Sequence, residues 1–320
     1  MDPLSDVLRT TPLRGGVFLH AKFSDPWCLS TQVRPETCAP FLGKTAEIIP
    51  YHFVVEGRLR VQMPADPPFE LGTGELVMFP RNDLHLLGGD LRLRPVGSDD
   101  IVKPSLDGGL STIRLGGDGP TTRIVCGFLG GDNLKRNPVV AALPPALRLN
   151  LGRGGAAQWI RSTFSYAAEE IATGRIGSAT VLAKISELLF VEAVRRYAEE
   201  LPAGQTGWLA GLRDPYVSHA LNLLHARPGD HWTADTLGRE VALSRSALAE
   251  RFNRLIGIPP MQYLTQWRMQ IAAHELRQGN RSMLRLAKRV GYDSEAAFSR
   301  AFKRETGLPP AAWRRQAGEG

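Results

Sequence analysis

Leu286-Ala-Lys-Arg-Val-Gly-Tyr-Asp-Ser-Glu-Ala-Ala-Phe-Ser-Arg-Ala-Phe302, running on to Gly307-Leu308-Pro309-Pro310, is the stretch that decides how this chain is read. Leu286 and Val290 stand four apart, which puts both on one face of a short helix. Gly291-Tyr292-Asp293 breaks that pattern, and Ser294 offers an N-cap hydroxyl for a new helix. Phe298 and Phe302, again four apart, form the inward stripe of that second helix. Gly307 suits a left-handed helix end, and the two prolines after it prevent continuation. Helix, tight turn, helix is what this grammar predicts.

Working outward, the same grammar stands about 50 residues earlier. Leu237 and Val241 precede a break at Ala242-Leu243, Ser244 is the cap, Leu248 and Phe252 face inward, and Gly257-Ile258-Pro259-Pro260 is the stop. Thr233 or Asp235 can cap the leading helix. A unit used twice predicts two copies of one supersecondary element. With the apolar stripe buried, Ser246, Ala249, Glu250 and Asn253 must face outward in the first copy, flanked by Arg245 and Arg254. The second copy presents Ser294, Glu295, Ala296, Ser299, Arg300, Lys303 and Arg304. Small residues let a helix enter a groove, Arg300 can read a guanine edge, and Lys303 and Arg304 can hold phosphates. Glu250 would repel phosphates unless it accepts from a cytosine amino group or pairs with Arg251 or Arg254. These residues are the candidate DNA-binding set; a plain packing module with solvated charges is the competing reading.

Between the copies, Met261 to Gln278 reads as one helix, with Tyr263, Leu264, Trp267, Ile271, His274 and Leu276 at helical spacings and Gly279-Asn280 as its end. At ~1.5 Å per residue such a helix spans ~27 Å. Successive major-groove faces of B-DNA lie ~34 Å apart, so the connector could place two recognition helices in adjacent grooves.

Residues from about Pro215 to Arg315 resemble the DNA-binding domain of the AraC/XylS family of bacterial transcription regulators. The resemblance rests on Ala287, Gly291-Tyr292, Ser294, Phe298-Ser299-Arg300, Phe302-Lys303, Gly307, Pro310 and Trp313-Arg314. Trp313 stands where the family usually has tyrosine. The resemblance implies double-stranded promoter DNA as partner, RNA polymerase contact for activation, and a homodimer.

Charge agrees. Residues 214–320 hold 16 basic and 10 acidic residues, so +6 of the chain's net +7 lies in the last third. A basic module on a neutral body is the footprint of a nucleic-acid reader. No RNA-module motif accompanies it. A chain of 320 residues suits two domains. The N-terminus has no signal-peptide core, and no apolar run approaches the ~18 residues of a membrane span. A bacterial cytoplasmic protein with no membrane partner is expected.

The N-terminal body reads as short strands between Gly, Pro and Asp turns: Val17–Ala21, Glu47–Val55, Arg58–Met63, Glu75–Phe79, Thr112–Leu115 and Arg123–Leu129. Such a pattern suggests a barrel or double-sheet sandwich. Tyr51-His52-Phe-Val-Val-Glu56-Gly57 and Gly74-Glu-Leu-Val-Met-Phe-Pro80-Arg-Asn-Asp-Leu-His85 resemble the two motifs of the cupin barrel. With Asp25-Pro26-Trp27, the arrangement is similar to the cupin sensor of one AraC subgroup. His20, Trp27, His52 and His85 are candidates for an effector pocket. A catalytic cupin offers a His-x-His pair, a carboxylate and a later histidine. Here Val54 follows His52 and Pro50 stands in the carboxylate place, so no cofactor is required and a metal ion would have only His52 and His85, aided by His20 or Cys28. Cys28, Cys38 and Cys126 fit no zinc or disulfide framework and stand as redox candidates, with Cys126 also readable as a buried structural thiol.

Gly88 to Pro120 reads as an extended loop. Ala156–Thr173 and Ser178–Leu201 read as helices, the second carrying a stripe broad enough for the barrel and a dimer face. The expected architecture is α+β with two domains: a cupin-like barrel followed by helices over residues 8–200, a linker at 201–213, and an all-α DNA-binding domain at 214–317. Its two helix-turn-helix motifs lie at about 234–255 and 284–306, joined by a long helix. The expected function is a sequence-specific, effector-controlled, non-enzymatic transcription regulator. A cupin metalloenzyme with a helical appendage and a constitutive architectural DNA binder are the alternatives.

Overall fold

The strand that carries Tyr51 and His52 is buried over nearly its whole length, on both faces, which is unusual for an antiparallel strand and shows that layers cover it from two sides. In the computed structural model this strand, β3 (Glu47–Glu56), lies near the middle of a sheet ordered β11-β6-β3-β10-β1-β9. The flanking strands are β1 (Arg14–Ser24), β6 (Glu75–Met78), β9 (Ser111–Gly116), β10 (Thr121–Gly131) and β11 (Leu147–Asn150). A second sheet is ordered β5-β4-β7-β2-β8, from β2 (Cys28–Thr31), β4 (Arg58–Gln62), β5 (Phe69–Gly72), β7 (His85–Gly88) and β8 (Val96–Gly97). The structure describes residues 2–11, 13–42, 47–101, 111–132, 134–150, 158–159, 162–166, 169, 178–202, 204–279 and 282–318.

The sheets enclose an apolar core that includes Leu19, Phe23, Val54, Leu59, Val77, Leu87 and Ile124. Outside it, the helix Ser178–Glu200 covers the back of the first sheet. Tyr51 Oη lies 2.6 Å from Ser186 Oγ on that helix. Gly15 makes the close approach feasible, because a Cβ there would lie on the backbone carbonyl of Ala183. Phe53, also on this outer face, stacks on Phe164 with ring centroids 3.9 Å apart.

The expected strands are all present, but β2, β5, β7, β8 and β11 were not read from the sequence. Each spans two to four residues, too few for an alternating pattern to declare itself. The stretch from Gly88 to Pro120 is not a plain loop: besides the expected strand β9 it contains β8 and a helical turn at Ser98–Ile101, while 102–110 lie outside the described residues. Of the helix expected at 156–173, residues 158–159, 162–166 and 169 are helical and the rest lie outside the described residues.

The chain divides into two units, and the division departs from a boundary at residue 200. Met1–Pro12 and Asn137–Ala142 belong with Glu200–Gly320, while Leu13–Arg136 and Leu143–Glu199 form the barrel unit. The expected linker at 201–213 is likewise part of the C-terminal unit. Trp208–Gly211 is a buried helical turn there, with Trp208 Nε1 donating to Tyr263 Oη at 2.8 Å. Its apolar Trp208 and Leu209 supply burial that the flanking glycines conceal in the sequence.

In the C-terminal unit the predicted grammar is met. Helices Ala234–Glu240 and Arg245–Ile256 form the first pair, and Met283–Arg289 and Glu295–Thr306 the second. Thr233 is the cap of the leading helix, and Ser244 and Ser294 accept from the amides of Ala247 and Ala297. Gly257 and Gly307 end their helices with φ of 86° and 85°. The prolines after them do more than stop a helix, because Pro260 and Pro310 each begin the next one. The connector runs Pro260–Gln278, with Tyr263, Leu264, Trp267 and Leu276 buried as expected and Ile271 and His274 only half-buried.

Candidate nucleic-acid interface and sensor cavity

Each recognition helix hides one stripe and shows the rest. Leu248 and Phe252 in the first, and Phe298 and Phe302 in the second, are fully buried. Burying four such side chains supplies on the order of 1.5–3 kcal/mol each and leaves the outward residues to chemistry. Arg245, Ser246, Glu250, Asn253 and Arg254 are exposed on the first helix, and Ala249 is half-buried. On the second, Glu295, Ala296, Arg300, Lys303 and Arg304 are exposed with Ser294, and Ser299 is half-buried. Ser244 and Ser294 spend their hydroxyls on caps.

The charges on these faces are largely uncommitted. Among the described residues Arg245, Arg254, Arg300 and Lys303 enter no ion pair, whereas Arg304 lies 3.6 Å from Glu305. Glu250 is not neutralised by Arg251, one of its two expected partners. Arg251 reaches back 2.7 Å to Asp214, which caps the helix Pro215–Ala226, and its guanidinium lies over the Tyr216 ring. Arg251 therefore braces the scaffold, and Glu250 enters no ion pair among the described residues.

In the barrel, three of the proposed site residues meet. His52 Nδ1 lies 2.9 Å from Cys126 Sγ, and His52 Nε2 lies 3.0 Å from His85 Nε2. His85 Nδ1 donates to the Asp83 carbonyl at 2.8 Å. That last bond sets every proton in the chain. With its hydrogen on Nδ1, neutral His85 accepts at Nε2, so His52 donates from Nε2 and accepts from the Cys126 thiol at Nδ1. Burial favours the neutral forms throughout: it lowers His52 well below the ordinary range, lowers His85 to about 4, and pushes the Cys126 thiol up.

A cavity of about 30 Å³ opens beside this relay, with Leu19, Phe23, Leu29, Thr31, His52 and Cys126 in its wall. The ion pair between Arg34 and Asp99, 2.6 Å long, is part of the same lining. Room of that size suits a water or two rather than the ~300–1,000 Å³ of an organic-ligand pocket.

A cupin family model matches residues 2–199, and a helix-turn-helix domain model matches residues 237–316. A putative AraC-like transcription regulator of Streptomyces lividans is 30% identical over 98% of this chain and 98% of its own length. This chain belongs to the AraC-like transcription regulators. The regulator is also similar to the HTH-type transcriptional regulator AlkR of Acinetobacter baylyi, 25% identical over 99% of this chain and all of that one. The RCS-specific HTH-type transcriptional activator RclR of Escherichia coli is 25% identical over 98% of this chain and 97% of its own.

Two expected pocket residues of the regulator fall elsewhere. His20 alternates with Leu19 and Ala21, which enter the core, so its ring belongs to the other face of β1. Trp27 is buried behind the cavity, stacked on Phe23 with centroids 4.0 Å apart. Cys28 is buried on β2 next to cavity-lining Leu29 and is not a member of the barrel's core cluster. His52 and His85 meet through their Nε2 atoms, and His52 turns its other nitrogen to Cys126. Among the described residues no group of three His, Cys, Asp or Glu is placed to hold a metal ion. All three cysteines are free and buried, and burial raises each thiol, Cys38 to about 12. These conditions are opposite to those of a reactive thiol.

Sequence reading missed that His52 and Cys126 form a pair. They sit directly opposite each other in the β3–β10 ladder, a register set across 74 residues that no local pattern reports.

Proposed function

We propose that the regulator grips double-stranded promoter DNA with both recognition helices, the second supplying most of the affinity and the first tuning specificity. The carrying observation is the matched pair of recognition helices, alike in caps and buried stripes but unlike in outward charge. Arg300 reads a base edge, Lys303 and Arg304 hold phosphates with Arg245 and Arg254, and Ser246, Ala249, Glu250, Asn253, Glu295, Ala296 and Ser299 line the grooves. Ser294 caps its helix at the same surface.

In this reading the protein works as a cytoplasmic homodimer and activates transcription through RNA polymerase. Val181 and Leu188, exposed by 39% and 55% on the helix Ser178–Glu200, are seven apart and so share one face, the proposed dimer seam. The barrel takes the signal at the cavity beside His52 and Cys126, without catalytic turnover and without a required cofactor. A signal acts as a switch only by binding two conformations unequally.

Arg300→Ala tests the base-reading assignment. Specific affinity should drop by ~1–3 kcal/mol and the selected consensus should relax at one base position. An unaltered consensus removes Arg300 from the base readers.

A further inference from the structure

The loop 227–232 leads into the first helix-turn-helix pair, and the turn 289–292 lies inside the second. The two meet backbone to backbone. A Cβ at Gly229 would lie 2.8 Å from the Arg289 carbonyl oxygen, and one at Gly291 would lie 2.9 Å from the Gly229 carbonyl oxygen. Neither distance leaves room for a side chain, so the approach requires glycine on both sides.

One side chain stitches this contact. Arg268 projects from the middle of the connector Pro260–Gln278. It donates from Nε to the Pro228 carbonyl and from Nη2 to the Asp230 carbonyl, each at 2.7 Å. The same guanidinium lies over the Tyr292 ring, 5.9 Å from its centroid, in the turn of the second pair. A planar guanidinium offers a rigid fork of donors that can hold two carbonyls while its face meets a ring.

The connector changes allegiance at this residue. Before it, Tyr263 packs edge-on against Phe252 of the first recognition helix, with centroids 5.7 Å apart, and Trp267 stacks on His225. After it, Met269, Ala272 and Leu276 enter one core cluster with Leu286, Val290, Phe298 and Phe302 of the second pair. Each recognition helix is thus packed on its own half of a helix of 19 residues. A long helix fixes separation better than it fixes bend, and a second attachment off its axis opposes bending and rolling of the two halves.

We propose that Arg268 is a positioning residue for DNA recognition. By tying the loop 227–232 to the turn 289–292 it fixes the angle between the recognition helices, and so sets the spacing of the two DNA elements that the regulator accepts. This rests on the reading that both helices grip one duplex. One added base pair moves the second element by ~3.4 Å and turns it by ~35°. A rigid pair of helices cannot follow that change, whereas a loosened pair can.

The test is binding of the full-length protein to a selected site, to that site with one base pair inserted between its two elements, and to sites with either element scrambled. The insertion should cost the wild type about ten-fold or more in affinity, and Arg268→Ala about three-fold or less. A folded Arg268→Ala that keeps the wild-type penalty overturns the proposal. If that variant does not fold, Gly229→Ala, which opens the same contact from the loop side, decides by the same measure. A wild type that needs both elements yet tolerates the insertion also overturns it. Indifference of the wild type to scrambling one element overturns the two-helix reading itself, and the proposal with it.

Discussion

Ala242 holds φ at 57° in the turn of the first helix pair, where the second pair has Gly291 at 79°. The left-handed conformation costs a residue with a Cβ roughly 1–2 kcal/mol. Ala242→Gly should therefore stabilise the protein by about 0.5 kcal/mol, the relief of strain being partly offset by a freer unfolded chain. The reverse change is not symmetrical. A Cβ at Gly291 would lie 2.9 Å from the Gly229 carbonyl and close on the Arg268 guanidinium, which holds the neighbouring loop through the carbonyls of Pro228 and Asp230. Gly291→Ala should cost about 1–3 kcal/mol. Urea unfolding of both variants checks the pair, and a destabilising Ala242→Gly would show that this turn is not strained. Trp313 makes a different kind of exchange. Where the family resemblance implies tyrosine, this tryptophan packs edge-on against Phe302 and donates from Nε1 to the Ala273 carbonyl at 3.3 Å.

At the scale of elements, helices were more legible than strands. A helix such as Glu295–Thr306 states its cap, stripe and stop within a dozen consecutive residues. A strand such as His85–Gly88 is four residues long, and its partners come from β2 and β4. His85 was found by motif, but its link to His52 and Cys126 exists only once β3, β7 and β10 are assembled. That assembly has a pH consequence. His52 and His85 titrate below their unfolded value of about 6.5, so between pH 6.5 and about 4 the unfolded chain binds protons that the folded barrel refuses. Stability should be complete above pH 6.5 and fall as pH drops toward 4, by on the order of 3 kcal/mol for His85 alone. Buried His225, lowered to about 3, adds loss of the same sign in the C-terminal unit. Thermal unfolding of the full chain from pH 7.5 to 4.5 measures this, and a flat profile would mean that the buried rings are protonated in the fold.

On the scale of the whole molecule, a basic C-terminal third and a nearly neutral remainder anticipate a DNA-binding part and a sensing part. The boundary between them was the least legible feature. Residues Met1–Pro12 and Asn137–Ala142 belong with the C-terminal unit although their sequence carries no mark of it. Their assignment depends on tertiary burial, such as that of Val7 and Val139, which local patterning does not encode. The central claim is that one chain engages two successive major-groove faces through its paired helix-turn-helix motifs. Hydroxyl-radical footprinting of the full-length protein on a selected site tests it most directly. Two protected windows should appear on one side of the duplex, about one helical turn or ~34 Å apart for each bound chain. A single window for each bound chain, or protection of random DNA at the same concentration and salt, would contradict it.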